Sequence, residues 1–260
     1  MTSRAVRTVA AIAIATLGAA RVRAQQASSP FTITEESPLA DSVIARYYVA
    51  IGGHDALIAI TTRRMNGAYV EGKLHATTDI VWRRPESRRV NLHAPGFDYS
   101  EGFDGSTWEY NHLSKKAVRD TGAAEAAGRR GAEFDESFVD YRAKGYRVTI
   151  CGSGSLAGRR VTGIRVTLAD GWAKEYFFDD ASHLIVGLVK AMPLHATGPE
   201  VRSVSLYSDW GRVCGVLQAH TFVETDQRDG REMNRLHWEA IACDVPVSDA
   251  ELAMPEAGAP

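Results

Sequence analysis

The chain reads as a mainly β protein, one curved antiparallel sheet with helices laid against its apolar face. Three observations predict this. Apolar and polar residues alternate with period two through much of the stretch from Thr61 to Cys243, the pattern of strands with one wet face. Glu71-Gly72, Asp104-Gly105, Asp170-Gly171 and Asp229-Gly230 stand between runs as hairpin signals. Helical spacing is confined mainly to two segments, near the start and between residues 122 and 145.

Taken in order, Arg4 and Arg7 precede an apolar or small run over residues 8–20, and Val22-Arg23-Ala24 offers a small-residue cleavage point. That run is well short of the ~20 residues a spanning helix needs. Residues 1–24 are therefore expected to be a secretory signal peptide, and an uncleaved anchor or a buried helix is the alternative. Residues 25–36 are polar and expected to be flexible, 37–247 form the folded domain, and 248–260 are a C-terminal tail. Cleavage removes four arginines and no acid, taking the formal charge from −2 to about −6.

Ser37 can cap a first helix that admits Pro38 in its opening turn. Leu39, Val43, Tyr47 and Ala50 give it an apolar face, and Gly52-Gly53 end it. The period then falls to two. Leu74, Ala76, Thr78, Ile80 and Trp82 alternate with polar partners, as do Val90 and Leu92, Ile164, Val166 and Leu168, and Leu236, Trp238 and Ala240. Ten or eleven strands fit this spacing, and a sheet so long curls or closes. Residues 122–145, with Phe134, Phe138 and Tyr141 at spacings of four and three, predict an amphipathic helical insert whose apolar side covers the sheet.

Composition narrows the function classes. Hydrophobic residues make up 45% and charged residues 24%, with a formal charge of −2, so the chain is globular and shows no basic excess for nucleic acid. Cys151, Cys214 and Cys243 match no zinc spacing. Export would permit one bridge among them and leave one cysteine over, with the pairing open. They read as small half-buried residues rather than reactive thiols, because no basic neighbourhood or partner histidine is visible.

No strong catalytic constellation is present. Gly-x-Ser-x-Gly and His-Glu-x-x-His are missing. Gly152, Gly154 and Gly158 are mis-spaced for a dinucleotide loop and precede a strand. His54-Asp55 and Asp179-Asp180 could serve as acid/base groups, but a helix start and a turn are the expected places for such aspartates. No cofactor or metal is implied. The informative feature is the apolar sheet face, with Trp82, Trp210 and Trp238. Ile80, Trp82, Val90, Leu92, Ile164, Val166, Leu236 and Trp238 share it by period-two counting and are the candidate ligand-binding residues. Periodicity does not separate a cavity wall from an ordinary core.

Several short pieces occur in a recognisable order. They are Ala50-Ile51-Gly52-Gly53 with Ala56-Leu57; Arg84-Pro85 with Arg88; Phe103-Asp104-Gly105 with Trp108; and Phe138-Val139-Asp140-Tyr141 with Gly145. Then come Thr167-Leu168-Ala169-Asp170-Gly171 with Tyr176-Phe177-Phe178-Asp179, and Tyr207-Ser208-Asp209-Trp210 with Val213 and Gly215-Val216. In this order the chain resembles the bacterial outer-membrane lipoprotein-sorting proteins, the LolA/LolB-like group, from about residue 47 to 247. It departs from them at Gln218-Ala219-His220, where relatives usually place a proline. The resemblance implies an unclosed half-barrel of about eleven antiparallel strands under a helical lid. It implies an exported, periplasmic or secreted carrier that holds lipid or lipoprotein acyl chains in the concave face, with a membrane protein as donor or acceptor and no catalysis. The alternatives are a small exported hydrolase built on His54-Asp55 or Asp179-Asp180, and an accessory interaction domain with a filled core.

Overall fold

The computed structural model describes residues 38–193 and 198–257. The expected signal peptide, residues 25–36 and the capping residue Ser37 lie outside the described residues. The chain opens with α1 (Pro38–Ile51) and α2 (His54–Ala59), then runs through β1 (Thr62–Glu71), β2 (Leu74–Arg83), β3 (Ser87–Ala94), β4 (Phe97–Phe103), β5 (Thr107–Asn111) and β6 (Lys116–Arg119). After α3 (Gly122–Ala132) come β7 (Arg147–Leu156), β8 (Arg159–Thr167), β9 (Ala173–Asp179), β10 (Ile185–Pro193), β11 (Glu200–Val213), β12 (Val216–Asp226) and β13 (Glu232–Cys243), and α4 (Asp249–Leu252) follows.

All thirteen strands form one sheet in the order β6-β5-β4-β3-β2-β1-β13-β12-β11-β10-β9-β8-β7. Every neighbouring pair is antiparallel. The expected fold class holds, and the strand count is thirteen rather than about eleven. The four predicted hairpin signals sit in turns, with Gly72, Gly105, Gly171 and Gly230 all at positive φ. The first and last strands of the sheet domain pair with each other, so the two hairpin series join at β1 and β13. The sheet's edges, β6 and β7, are consecutive in sequence. The segment between them must therefore cross from one edge to the other, and that segment contains α3.

The crossing segment differs from the predicted insert. The helix stops at Ala132, and Phe134, Phe138 and Tyr141 sit in successive turns after it. Local bonds such as Val139 N–H to the Glu136 carbonyl (2.8 Å) give these turns a near-helical period, which is why the aromatic spacing looked helical. Asp140, at φ 50°, interrupts any continuous helix there.

The core lies between the sheet and this crossing. In α1 the buried face is Ala40, Val43, Ile44, Tyr47 and Ile51, whereas Leu39, expected inside, is 63% exposed. Tyr47 meets Phe138 and Phe178 edge-on at 5.2 and 5.6 Å, and Phe138 meets Tyr176 at 5.0 Å. Ile164, Val166, Ile185 and Leu188 complete this cluster beneath α1. A smaller cluster of Met65, Ile80 and Trp238 lies on β1, β2 and β13.

Two close approaches fix local shape. A Cβ on Gly67 would lie 1.9 Å from the His237 carbonyl oxygen, so only glycine lets β1 approach β13 at the bulge between them. Gly52, at φ +115°, sits against the Gly215 carbonyl, where a Cβ would come to 2.8 Å. Cys214 and Cys243 form a disulfide that ties the β11–β12 turn to the end of β13. Cys151 is free and buried, and burial pushes its thiol up to about 12.

The segment after residue 247, expected as a tail, packs on β3 through α4. Ser248 and Glu251 make a reciprocal capping box. Glu251 accepts from Arg64 at 2.6 Å, Asp249 pairs with Arg83 at 2.7 Å, and Leu252 is fully buried.

Candidate functional site

A cavity of about 370 Å³ lies on the concave side of the sheet. Its wall draws on strands from β3, through Arg88, to β9, through Lys174. Seven strand spacings separate these two, which is ~33 Å on a flat sheet. Their sharing of one cavity requires the sheet to curl.

The apolar wall comes mainly from the strands around the β1–β13 junction. Met65, Ile80, Trp82, Phe222, Leu236, Trp238 and Ile241 line it, with Leu188, Tyr207, Trp210 and Leu217 on the far side. The lid contributes Gly131, Phe134 and Val139. Of the eight residues expected from the sequence, four are therefore on the wall: Ile80, Trp82, Leu236 and Trp238. The other four are not. Ile164 and Val166 are fully buried in the cluster beneath α1, because α1 and the turns around Phe138 fill that half of the concave face. Val90 and Leu92 share the face of Ile80 by register but lie outside the wall. Val90 packs beside the Met65–Ile80–Trp238 cluster, and Leu92 sits opposite Thr78 and Tyr99.

Ile241 was missed for a definite reason. The bulge opposite Asn66 and Gly67 inserts one residue into β13 and switches its faces. Period-two counting from Trp238 put Ala240 inside, but Ala240 is exposed and Ile241 faces the cavity. Met65 and Phe222 lie in runs whose alternation is weak, so no pattern marked them.

The polar part of the wall was also not visible as a pattern. Arg63, Trp82 and Arg88 are opposite one another across β1, β2 and β3. Each donates to a backbone carbonyl at the end of α3 or just beyond it. Arg88 Nη1 reaches Gly131 O at 3.0 Å, Trp82 Nε1 reaches Ala132 O at 2.8 Å, and Arg63 Nη1 reaches Phe134 O at 3.3 Å. The last carbonyls of a helix have no partner within it, and cationic donors suit their negative end. The Arg63 and Arg84 guanidinium groups lie over the Phe134 ring at 4.4 and 4.7 Å.

Charge is dense around this wall. Arg84 forks onto Asp135. Glu133 accepts from Lys144 at 2.8 Å, faces Lys174 at 3.7 Å and accepts from Ser137. Tyr207 donates to Glu136 at 3.2 Å. Lys190 faces Glu224 at 3.3 Å; burial works to raise that carboxyl, but Lys190, Ser203 and Asn234 together hold it low. Burial lowers the pKa values of Lys174 and Arg63, with nearby carboxylates opposing.

The two acid/base candidates lie away from the cavity wall. His54 Nε2 is 2.9 Å from Asp140, which joins α2 to the crossing segment, and Nδ1 is 3.3 Å from Asp55 within α2, so both ring nitrogens are engaged. Asp179 accepts from Ala181 N–H, Ser182 and Arg159 and holds a turn. Among the described residues no cluster of histidine, cysteine and carboxylate ligands is arranged for a metal. No helix there is long and apolar enough to cross a membrane.

No family model matches the chain, and no curated protein matches it. Solved structures do. A DUF1329 family protein from Desulfovibrio piger superposes with a TM-score of 0.57 at 14% identity, over 81% of this chain and 97% of that one. An outer membrane lipoprotein-sorting protein domain from Vibrio parahaemolyticus gives 0.56 at 10% identity, over 81% and 94%. A LolA superfamily protein from Nitrosomonas europaea gives 0.53 at 11%, over 82% and 97%. The chain thus has the LolA-like fold, an unclosed antiparallel sheet with few helices.

Proposed function

We propose that this protein is an exported carrier, working in the periplasm or outside the cell, that holds an acyl chain of a lipid or lipoprotein in the concave cavity. The observation that carries this reading is the division of the concave face. One half is packed beneath α1. The other keeps about 370 Å³ walled by Met65, Ile80, Trp82, Phe222, Leu236 and Trp238. That volume and lining suit a small-molecule site. Each buried methylene of an entering chain contributes about 0.8 kcal/mol, enough for micromolar binding after association costs. The fold shared with an outer membrane lipoprotein-sorting protein domain supports cargo of this kind, and a membrane-protein donor or acceptor belongs to the same reading. Delipidated protein titrated with a fluorescent fatty acid is expected to show saturable binding. Its absence, together with no lipid found by mass spectrometry in protein purified from its own cells, would remove the carrier reading.

A further inference from the structure

The sheet forks where it walls the cavity. The ladder between β12 and β13 begins beside their turn, at Thr225 and Glu232, and stops at Thr221 and His237. At that last pair the Thr221 hydroxyl and His237 Nδ1 are 2.9 Å apart. Beyond it, residues 216–219 pair outward with β11, and residues 238–243 pair outward with β1 around its bulge, but the two stretches do not pair with each other. Facing strand edges without a ladder give up the hydrogen bonds that hold a sheet together. The arms of the fork flank the cavity: Leu217, Gln218 and Ala219 line it from one arm, Trp238 and Ile241 from the other.

Each arm is fastened to its own half of the sheet. The Gly215 carbonyl, at the start of the β12 arm, accepts from Arg212 Nη1 at 3.0 Å and lies against Gly52 at the end of α1. The β13 arm runs into Asp244, which accepts from the Thr61 N–H at 2.8 Å, and Val245, whose carbonyl accepts from the Thr62 hydroxyl at 2.7 Å. The Cys214–Cys243 disulfide ties one arm to the other at the open end of the fork, with the Cα atoms 6.1 Å apart. Cys214 is exposed and Cys243 half-buried, so the bond borders solvent. The third cysteine, Cys151, is buried in a separate cluster with Val161 and Phe177.

We infer that the fork is a gate in the cavity wall and that the Cys214–Cys243 bond is its redox-sensitive latch. While the bond is intact the arms stay together. When a dithiol reductant opens it, the arms part and unzip the short ladder behind them. In that step a thiolate of the reductant attacks one sulfur and the S–S bond breaks. The reductant then closes to its own disulfide, and Cys214 and Cys243 take up two electrons and two protons as thiols. The inference concerns access to the cavity and does not depend on what the cavity carries. A bond that served only as a general staple would act on the unfolded chain and stabilise every part of the fold alike.

The test compares oxidised wild type, wild type in dithiothreitol, and the double variant Cys214→Ser with Cys243→Ser. With the latch open, amide exchange over residues 221–225 and 232–237 is expected to accelerate by about tenfold or more, while the β2–β3 and β7–β8 ladders change by less than about twofold. Trp82, Trp172, Trp210 and Trp238 line the cavity, so acrylamide quenching of tryptophan fluorescence reports entry to it. The quenching constant is expected to rise by about half or more, and reoxidation of the wild type should restore both readouts. Reduced wild type stands as the test if the double variant does not fold. Equal acceleration in all ladders, no change in exchange, or loss of the near-ultraviolet dichroism on reduction overturns the inference. Faster exchange along the seam without a rise in quenching overturns it too, because arms that part without admitting the quencher are no gate. Neither readout uses a bound lipid, so each of these failures leaves the carrier reading standing.

Discussion

Asp120 places a carboxylate beside Glu109, Glu101 and Glu125, with one oxygen buried and unpaired among the described residues. Burial first, then these neighbours, push its pKa from 3.8 to about 6. A carboxyl raised on folding binds more protons in the native than in the unfolded chain between these values. Stability attributable to it therefore falls as pH rises from about 4 to about 6 and stays lower above that. Asp120→Asn removes the penalty. It is expected to stabilise the protein above pH 6 by at most about 1 kcal/mol, given solvent screening, and to give no gain below about pH 4. Urea unfolding at pH 4 and pH 7 checks this, and an equal effect at both would refute it. Such effects were not legible in the sequence, because Asp120 meets Glu109 and Glu101 only through strand pairing. The β13 bulge is a second case: one extra residue reverses every later face, and it sits where Gly67 approaches the His237 carbonyl, about 170 residues away in sequence.

At the scale of elements, α3 is held onto the concave face by the row Arg63, Trp82 and Arg88. Its other anchor is Thr107, whose N–H donates to Glu125 Oε2 at 2.7 Å and whose hydroxyl donates to the Glu125 carbonyl at 3.1 Å. Gly128 allows the approach to Thr107, where a Cβ would meet the threonine Cγ2 at 2.2 Å. Trp82→Phe keeps an aromatic ring beside Phe134 but removes the donor to Ala132. The expected cost is about 1 kcal/mol, the worth of one such hydrogen bond. Amide exchange should accelerate over residues 126–134 more than over β8 and β9; uniform exchange would show that the row does not hold the helix. The existence of α1, of the strands and of four hairpin turns could be read locally, since each depends on period and turn chemistry. The end of α3 could not. Its last carbonyls meet donors on three other strands and the backbone leaves the helical region at Glu133, with ψ 122°, while the aromatic spacing beyond it imitates a helix.

Across the whole molecule, the order of the sheet explains why one half of the concave face is filled and the other is not. The edges β6 and β7 are adjacent in sequence, so the chain must cross the open side, and α1 packs with the later part of that crossing over β7 to β10. The β1–β13 junction receives only the earlier part, near Phe134. Both halves present the same alternating apolar pattern, so the sequence placed Ile164 and Leu236 in one group although their surroundings are opposite. Their replacement should separate them. Ile164 is wholly enclosed, and Ile164→Ala leaves a void among packed neighbours at an expected cost of about 2–5 kcal/mol. Leu236 is half-buried and already borders the cavity, so Leu236→Ala removes fewer contacts and should cost below about 2 kcal/mol. Fatty-acid titration should move in the reverse sense, weakened by Leu236→Ala and little changed by Ile164→Ala under conditions where that variant stays folded. Equal stability losses in urea would mean that the wall around Leu236 is packed as tightly as the core beneath α1, and that the division of the concave face has no energetic consequence.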